Sequence, residues 1–162
     1  MKLADLQEQK GTYSAVRFGQ DTVDALIEVI EGLGILNPTP SDELHATLLY
    51  SRKYLPKYRA KGVLTPPWTA KPASVEIWNT RNGKKAAVIK LDSFDLIDRH
   101  HFLMDVHGAT YDFPEYKPHI TLSYDYRNDY TAEELTKMIK SGIPQLEIVE
   151  EYQEDLNLDW KA

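Results

Sequence analysis

Apolar residues recur along the chain with two different periods, and the switches between them mark out the elements. After Asp21, Val23, Leu26, Ile27, Ile30 and Leu33 fall at helical spacing, and Gly34 is placed to end the turn. After Ser93, Phe94, Leu96, Ile97, Leu103 and Met104 predict a second helix ending near Gly108. Thr131 and Glu134 form a capping-box pattern ahead of Leu135, Met138 and Ile139, and Gly142 followed by Pro144 closes a third helix. Six segments have strand character: 12–18, 45–50, 73–79, 85–91, 119–124 and 146–152. Between the third and fourth lies Arg81-Asn82-Gly83-Lys84, whose Asn-Gly pair tolerates the positive φ angles of a tight hairpin. Helices and strands in this order predict a mixed α+β domain with helices on the outer sheet faces.

A chain of 162 residues is long enough for one core and too short for two, so residues 1–162 are expected to form a single domain. With 42% hydrophobic and 27% charged residues, it is neither disordered nor membrane-spanning in composition. No apolar run approaches the ~18 residues of a span, and the first ten residues are polar without a signal-peptide core, so a soluble cytosolic protein is expected. The absence of cysteine removes thiolate nucleophiles, disulfides and cysteine-type zinc sites, leaving oxygen and nitrogen groups to do any chemistry. The formal charge of −6 argues against long nucleic acids as partners, while a small anion in a local pocket stays compatible. Against that acidic balance, residues 51–71 carry Arg52, Lys53, Lys57, Arg59, Lys61 and Lys71 without one acid, and residues 147–159 are strongly acidic. The basic stretch reads either as a solvated loop or as an electropositive flap that attracts a phosphorylated ligand.

The informative feature is a repeat. His45-Ala46-Thr47-Leu48-Leu49-Tyr50 and His119-Ile120-Thr121-Leu122-Ser123-Tyr124 share the pattern His-x-Thr-Leu-x-Tyr in a chain with five histidines. Alternation along a strand puts His45 with Thr47, and His119 with Thr121, on one face, while Leu48 and Leu122 point into the core. One such strand is most simply an amphipathic edge with a satisfied histidine. Two copies related by a pseudo-twofold would present two imidazoles across one groove. An imidazole with an ordinary pKa of ~6.5 serves as base or acid near neutrality. The hydroxyls would hold non-bridging phosphate oxygens between the histidines and stabilise the charge that develops there. This is equipment for in-line phosphoryl transfer without a metal.

At these residues the chain resembles the 2H phosphoesterase superfamily, named for two His-x-Thr/Ser motifs on facing strands. Lys117-Pro118-His119-Ile120-Thr121-Leu122 looks like the proline-preceded second motif and Glu43-Leu44-His45-Ala46-Thr47-Leu48 like the first. The resemblance implies a bilobal fold, two antiparallel sheets around a central groove with outer helices, and metal-independent phosphodiester cleavage. Within the superfamily the layout is most similar to the phage anti-CBASS phosphodiesterases, which degrade the cyclic oligonucleotide messengers of bacterial immunity. That likeness implies a small cyclic oligonucleotide substrate, no cofactor, catalytic His45, Thr47, His119 and Thr121, and substrate contacts from Tyr13, Trp78 and Glu147. A phage-encoded chain would act in the host bacterial cytoplasm.

The pattern around Trp78 bears on this independently. Val75 and Ile77 occupy one strand face, which puts Trp78 with Glu76 on the other, as an exposed aromatic or as a base-stacking platform. Tyr13 lies opposite Val16 and Phe18 if its strand is regular, and Glu147 belongs either to the acidic surface or to a base contact. His100, His101 and His107 lack metal-motif spacing and are expected on the polar helix surface, with no metal bound. Phosphate-binding glycine loops and a nucleophile elbow are absent. The alternative functions are an RNA-end or 2′,3′-cyclic nucleotide phosphodiesterase using the same four residues, and a non-catalytic module that sequesters a cyclic nucleotide.

Overall fold

The computed structural model describes residues 10–158; the polar residues 1–9 and the final four, including Asp159 of the acidic run, lie outside the described residues. The strands are β1 (Lys10–Phe18), β2 (His45–Ser51), β3 (Gly62–Asn79), β4 (Lys85–Asp92), β5 (His119–Ser123) and β6 (Leu146–Asn157). The helices are α1 (Gln20–Leu33), α2 (Phe94–Val106) and α3 (Ala132–Gly142). The ends predicted at Gly34, Ser93 and Thr131 form, while α1 begins at Gln20, one residue ahead of Asp21, and α3 runs through Gly142 to a cap at Ile143. Gly34 closes α1 at φ 62°, the Ser93 hydroxyl accepts the Leu96 N–H at the start of α2, and Thr131 with Glu134 completes a reciprocal capping box on α3.

All pairings are antiparallel, and the strands close in the order β1-β2-β5-β4-β3-β6. The two sheets expected from the sequence are therefore one, for two physical reasons. β3 runs for eighteen residues, pairing with β6 through its first part and with β4 through its second, so it bridges the halves. On the opposite side β2 and β5 meet at a single register pair, Ala46 with Ile120. The same observation corrects the basic loop, because residues 62–71 are strand. Pro66 and Pro67 fall where the β3–β6 register shifts between Val63 and Trp68, at an irregularity that tolerates residues without an N–H. The hairpin is also looser than a two-residue turn: Thr80 N–H donates to the Lys84 carbonyl, and the left-handed conformation falls on Gly83 alone, at φ 78°.

One apolar cluster joins the strands to all three helices, with Leu26, Leu48, Leu96, Leu122 and Leu135 fully buried. α3 lies on β3, where the Thr136 hydroxyl accepts the Val75 N–H at 2.9 Å, and α2 packs against β2 and β3. Beneath the basic segment sits a buried ion pair. Glu151, without exposed surface, receives both Arg99 Nε and Nη2, at 3.0 and 3.1 Å, together with the Tyr58 hydroxyl. Tyr58 also shares a hydrogen bond with Ser14, so this cluster fastens residues 52–61 to β1 and β6. None of the described helices is long and apolar enough to cross a membrane.

Candidate active site

The contact between β2 and β5 assembles the site. Ala46 and Ile120, the paired residues, are fully buried, as are Leu48 and Leu122 two residues on. Alternation turns His45, Thr47, His119 and Thr121 to the other face, where all four are half-buried. In an antiparallel pair centred on Ala46 and Ile120, counting outward sets His45 toward Thr121 and Thr47 toward His119. The two motifs thus approach head to tail about a local twofold. The imidazoles are close enough that a charge on His45 lowers the proton affinity of His119.

Both rings are held alike. His45 Nδ1 lies 2.7 Å from the Glu43 carbonyl, and His119 Nδ1 lies 2.8 Å from the Lys117 carbonyl, in each case two residues upstream. A carbonyl only accepts, so Nδ1 carries the hydrogen in each ring and Nε2 is left as the working nitrogen. Beyond this the halves diverge. Thr47 is braced by the Tyr13 hydroxyl at 3.0 Å, and its carbonyl accepts the Tyr116 hydroxyl at 2.8 Å. Burial pushes the Tyr13 phenol up to about 12, which keeps it protonated. Thr121 is held through its carbonyl, which accepts the Thr39 hydroxyl at 2.7 Å, and through its pairing with Val88 on β4.

On the β5 side the aromatic contact falls on the histidine. The Trp78 ring stands 4.7 Å from the His119 ring, centroid to centroid, at an interplanar angle of 66°. Its indole N–H donates to Glu76 at 2.7 Å, and the second oxygen of that carboxylate lies 3.3 Å from Lys90 Nζ. Burial lowers the pKa of His119, opposed by the Lys117 carbonyl, while the Trp78 hydrogen bond lowers that of Glu76. A cavity of about 320 Å³ opens beside His119, lined by Trp78, Tyr111, Phe113, Glu115 and Lys117.

The structure therefore brings Tyr13 and Trp78 to the four motif residues. Glu147 makes its own contacts at the start of α1: its carboxylate lies beside Gly19, its N–H donates to the Thr22 hydroxyl, and its carbonyl accepts the Gly19 N–H. The β6 residue in register with Tyr13 is Glu154. The sequence pattern does not single out the cavity wall formed by Tyr111 and Phe113, although two aromatic residues clustered just ahead of Pro118 are a usable signal. His100 was expected at the surface and is buried. Its Nδ1 lies 2.8 Å from the Leu48 carbonyl, and its ring stacks on Tyr116 at 4.1 Å and 8°, so it belongs to the packing behind β2. Among the described residues no group of three or more histidine, aspartate or glutamate side chains is arranged to hold a metal.

Comparison with known proteins yields one consistent result. The chain is 40% identical over 161 residues to the anti-CBASS protein Acb1 of Acinetobacter phage Ac42, covering 99% of both chains. It is 37% identical over 152 residues to Acb1 of Enterobacteria phage T4, covering 93% of this chain and 91% of that one. Acb1 of Vibrio phage KVP40 is 34% identical over 162 residues, covering 100% and 98%. Among solved structures, TT0787 of Thermus thermophilus superposes with a TM-score of 0.47 at 18% identity, covering 88% of this chain and 82% of its own, a likeness on which nothing further rests. The family profile itself extends across residues 10–162, every described strand and helix included, and with these relatives it makes the chain a member of the anti-CBASS protein Acb1 family.

Proposed function

We propose that the protein is a metal-independent phosphodiesterase of the two-histidine type that opens 3′–5′ linkages in cyclic di- and oligonucleotide immune messengers. The observation that carries this reading is the convergence of His45, Thr47, His119 and Thr121 on one face of β2 and β5, with both imidazoles held through Nδ1. Membership of a family named for countering CBASS supports the substrate class.

In the first step one imidazole accepts the proton of the 2′-OH through Nε2, and that oxygen attacks the adjacent phosphorus. The other imidazole, entering protonated, gives its proton to the departing 5′ oxygen, so the P–O5′ bond breaks as the P–O2′ bond forms. Products are an opened ring with a 5′-OH and a 2′,3′-cyclic phosphate. Water then opens the cyclic phosphate with the two histidines in exchanged roles. The lowered pKa of His119, caused first by burial, favours its neutral form and so suits it to the accepting role. The Thr47 and Thr121 hydroxyls donate to the non-bridging oxygens, where charge builds during attack. Tyr13, braced against Thr47, keeps that hydroxyl aimed. The cavity beside Trp78 is of a size for one base, which stacks there.

The test is incubation of the purified protein, in chelator, with cyclic di- and trinucleotides and with oligoribonucleotides, followed by mass spectrometry. Ring-opened products from the cyclic substrates, and none from analogues lacking the 2′-OH beside the linkage, are expected. Cleavage of the deoxy analogue contradicts internal attack. Preferential turnover of oligoribonucleotide ends favours the RNA-processing reading, and retention of intact ligand favours sequestration.

A further inference from the structure

Glu76 is not required to explain either motif, yet its contacts run toward one of them. It precedes Trp78 by two residues on β3, so both side chains leave the same strand face. One carboxylate oxygen accepts the Trp78 indole N–H at 2.7 Å and the other faces Lys90 Nζ at 3.3 Å, which fixes the carboxylate at both ends. Lys90 is the register partner of His119 across β4 and β5, and the Trp78 ring stands edge-on to the His119 ring at 4.7 Å. An unbroken chain of contacts therefore runs from Lys90 through Glu76 and Trp78 to an imidazole that the proposed function places at the reacting phosphorus.

We propose that Glu76 is a positioning residue for the phosphodiester reaction: by accepting the indole N–H it holds Trp78 against His119, setting that imidazole's orientation and shielding it from water. An indole N–H has no acceptor alternative within its own ring, so removing the carboxylate frees the ring to turn. This inference rests on the two-histidine reading for its catalytic consequence but not for its structural one. The lowered pKa of His119, caused first by burial, is the observable that reports the shield. The charged and titratable groups around His119 are His45 on β2, Lys90 on β4, Glu76 on β3, and Tyr111, Glu115 and Lys117 on the segment leading into β5.

The decisive experiment follows the His119 imidazole resonances through a pH titration by NMR, in wild type, Glu76→Gln and Glu76→Ala. Glutamine keeps an acceptor oxygen for the indole and removes the charge; alanine removes both. The expected result is a His119 pKa that stays at its wild-type value in Glu76→Gln and rises toward the ordinary imidazole value in Glu76→Ala. Turnover should follow the same order, with kcat/KM about tenfold lower in Glu76→Ala and within about twofold of wild type in Glu76→Gln. A Trp78→Phe variant, which lacks the N–H, serves as the second arm: adding Glu76→Ala to it should produce no further shift. An unmoved pKa in Glu76→Ala, an equal shift in both Glu76 variants, or additive shifts on the Trp78→Phe background each overturn the proposal. Should His119→Ala retain full activity while the titration behaves as expected, the catalytic reading fails and the positioning contact stands.

Discussion

The two motif strands have the same sequence pattern and the same hydrogen bond at each histidine, but they are buttressed at different atoms. On β2 the aromatic support goes to the threonine, whose hydroxyl meets Tyr13 and whose carbonyl meets Tyr116. On β5 it goes to the histidine, which lies under Trp78 and beside the cavity. Among the described residues no aromatic ring packs on His45. A twofold repeat thus supplies matched groups, and the unmatched surroundings give those groups unequal chemistry. The difference in surroundings bears on proton affinity: burial on the β5 side lowers the pKa of His119.

The first way to break this comparison is to remove either imidazole. His45→Ala and His119→Ala should each reduce turnover by about 10³-fold or more, since each removes one of two proton-transfer groups. Steady-state kinetics on the folded variants checks this, and equal near-wild-type rates in both would dissolve the pair. A smaller effect sharpens the asymmetry. Thr47→Val and Thr121→Val should each lower kcat by about 10²-fold through loss of a donor to the charged oxygens. Tyr13→Phe should lower kcat several-fold and cost about 0.5–1.5 kcal/mol of stability by denaturant titration, acting only through Thr47. Removal of the hydroxyl of Tyr13 from a Thr47→Val background should then change little in kcat; a full second loss would show that Tyr13 works elsewhere.

The smallest expected effect is on stability against acid. His100 and His119 both have pKa values lowered in the folded state, by burial first in each case. A depressed imidazole pKa means the unfolded chain binds protons that the folded chain refuses, so these residues favour folding fully above the ordinary imidazole value. That contribution is lost as pH falls from the ordinary value through the lowered folded ones. Denaturant midpoints should therefore fall between about pH 7.5 and about pH 5. His100→Asn, which keeps a donor for the Leu48 carbonyl, should flatten part of the slope, and an unchanged slope would show that His100 titrates normally.

Much of this architecture is written locally. The helix caps at Ser93, Thr131 and Gly34 act within one turn, and the alternation that groups His45 with Thr47 needs only the strand period. The same period puts Glu76 and Trp78 on one face, whereas the hydrogen bond between them shows only in the structure. What escaped depends on partners distant in sequence. The first half of β3 reads as a basic, proline-bearing loop until its pairing with β6 is known, and that same strand is what merges two expected sheets into one. The surroundings of Glu147 at the start of α1 likewise depend on how β6 pairs with β1, whose register shifts between Arg17 and Phe18. His100 looks like one more polar helix residue until Tyr116, sixteen positions later in the sequence, stacks on it.

The claim on which the rest depends is that both imidazoles address one phosphorus. A crystal structure with a cyclic dinucleotide lacking the reactive 2′-OH, which should bind without being cleaved, tests it directly. The account predicts one phosphate seated between β2 and β5 with the two Nε2 atoms on opposite sides of it, one within roughly 3–4 Å of its bridging 5′ oxygen and the other facing the 2′ carbon from which the attacking hydroxyl is missing. A phosphate reached by only one of the two rings, or a ligand seated away from the β2–β5 face, would contradict it.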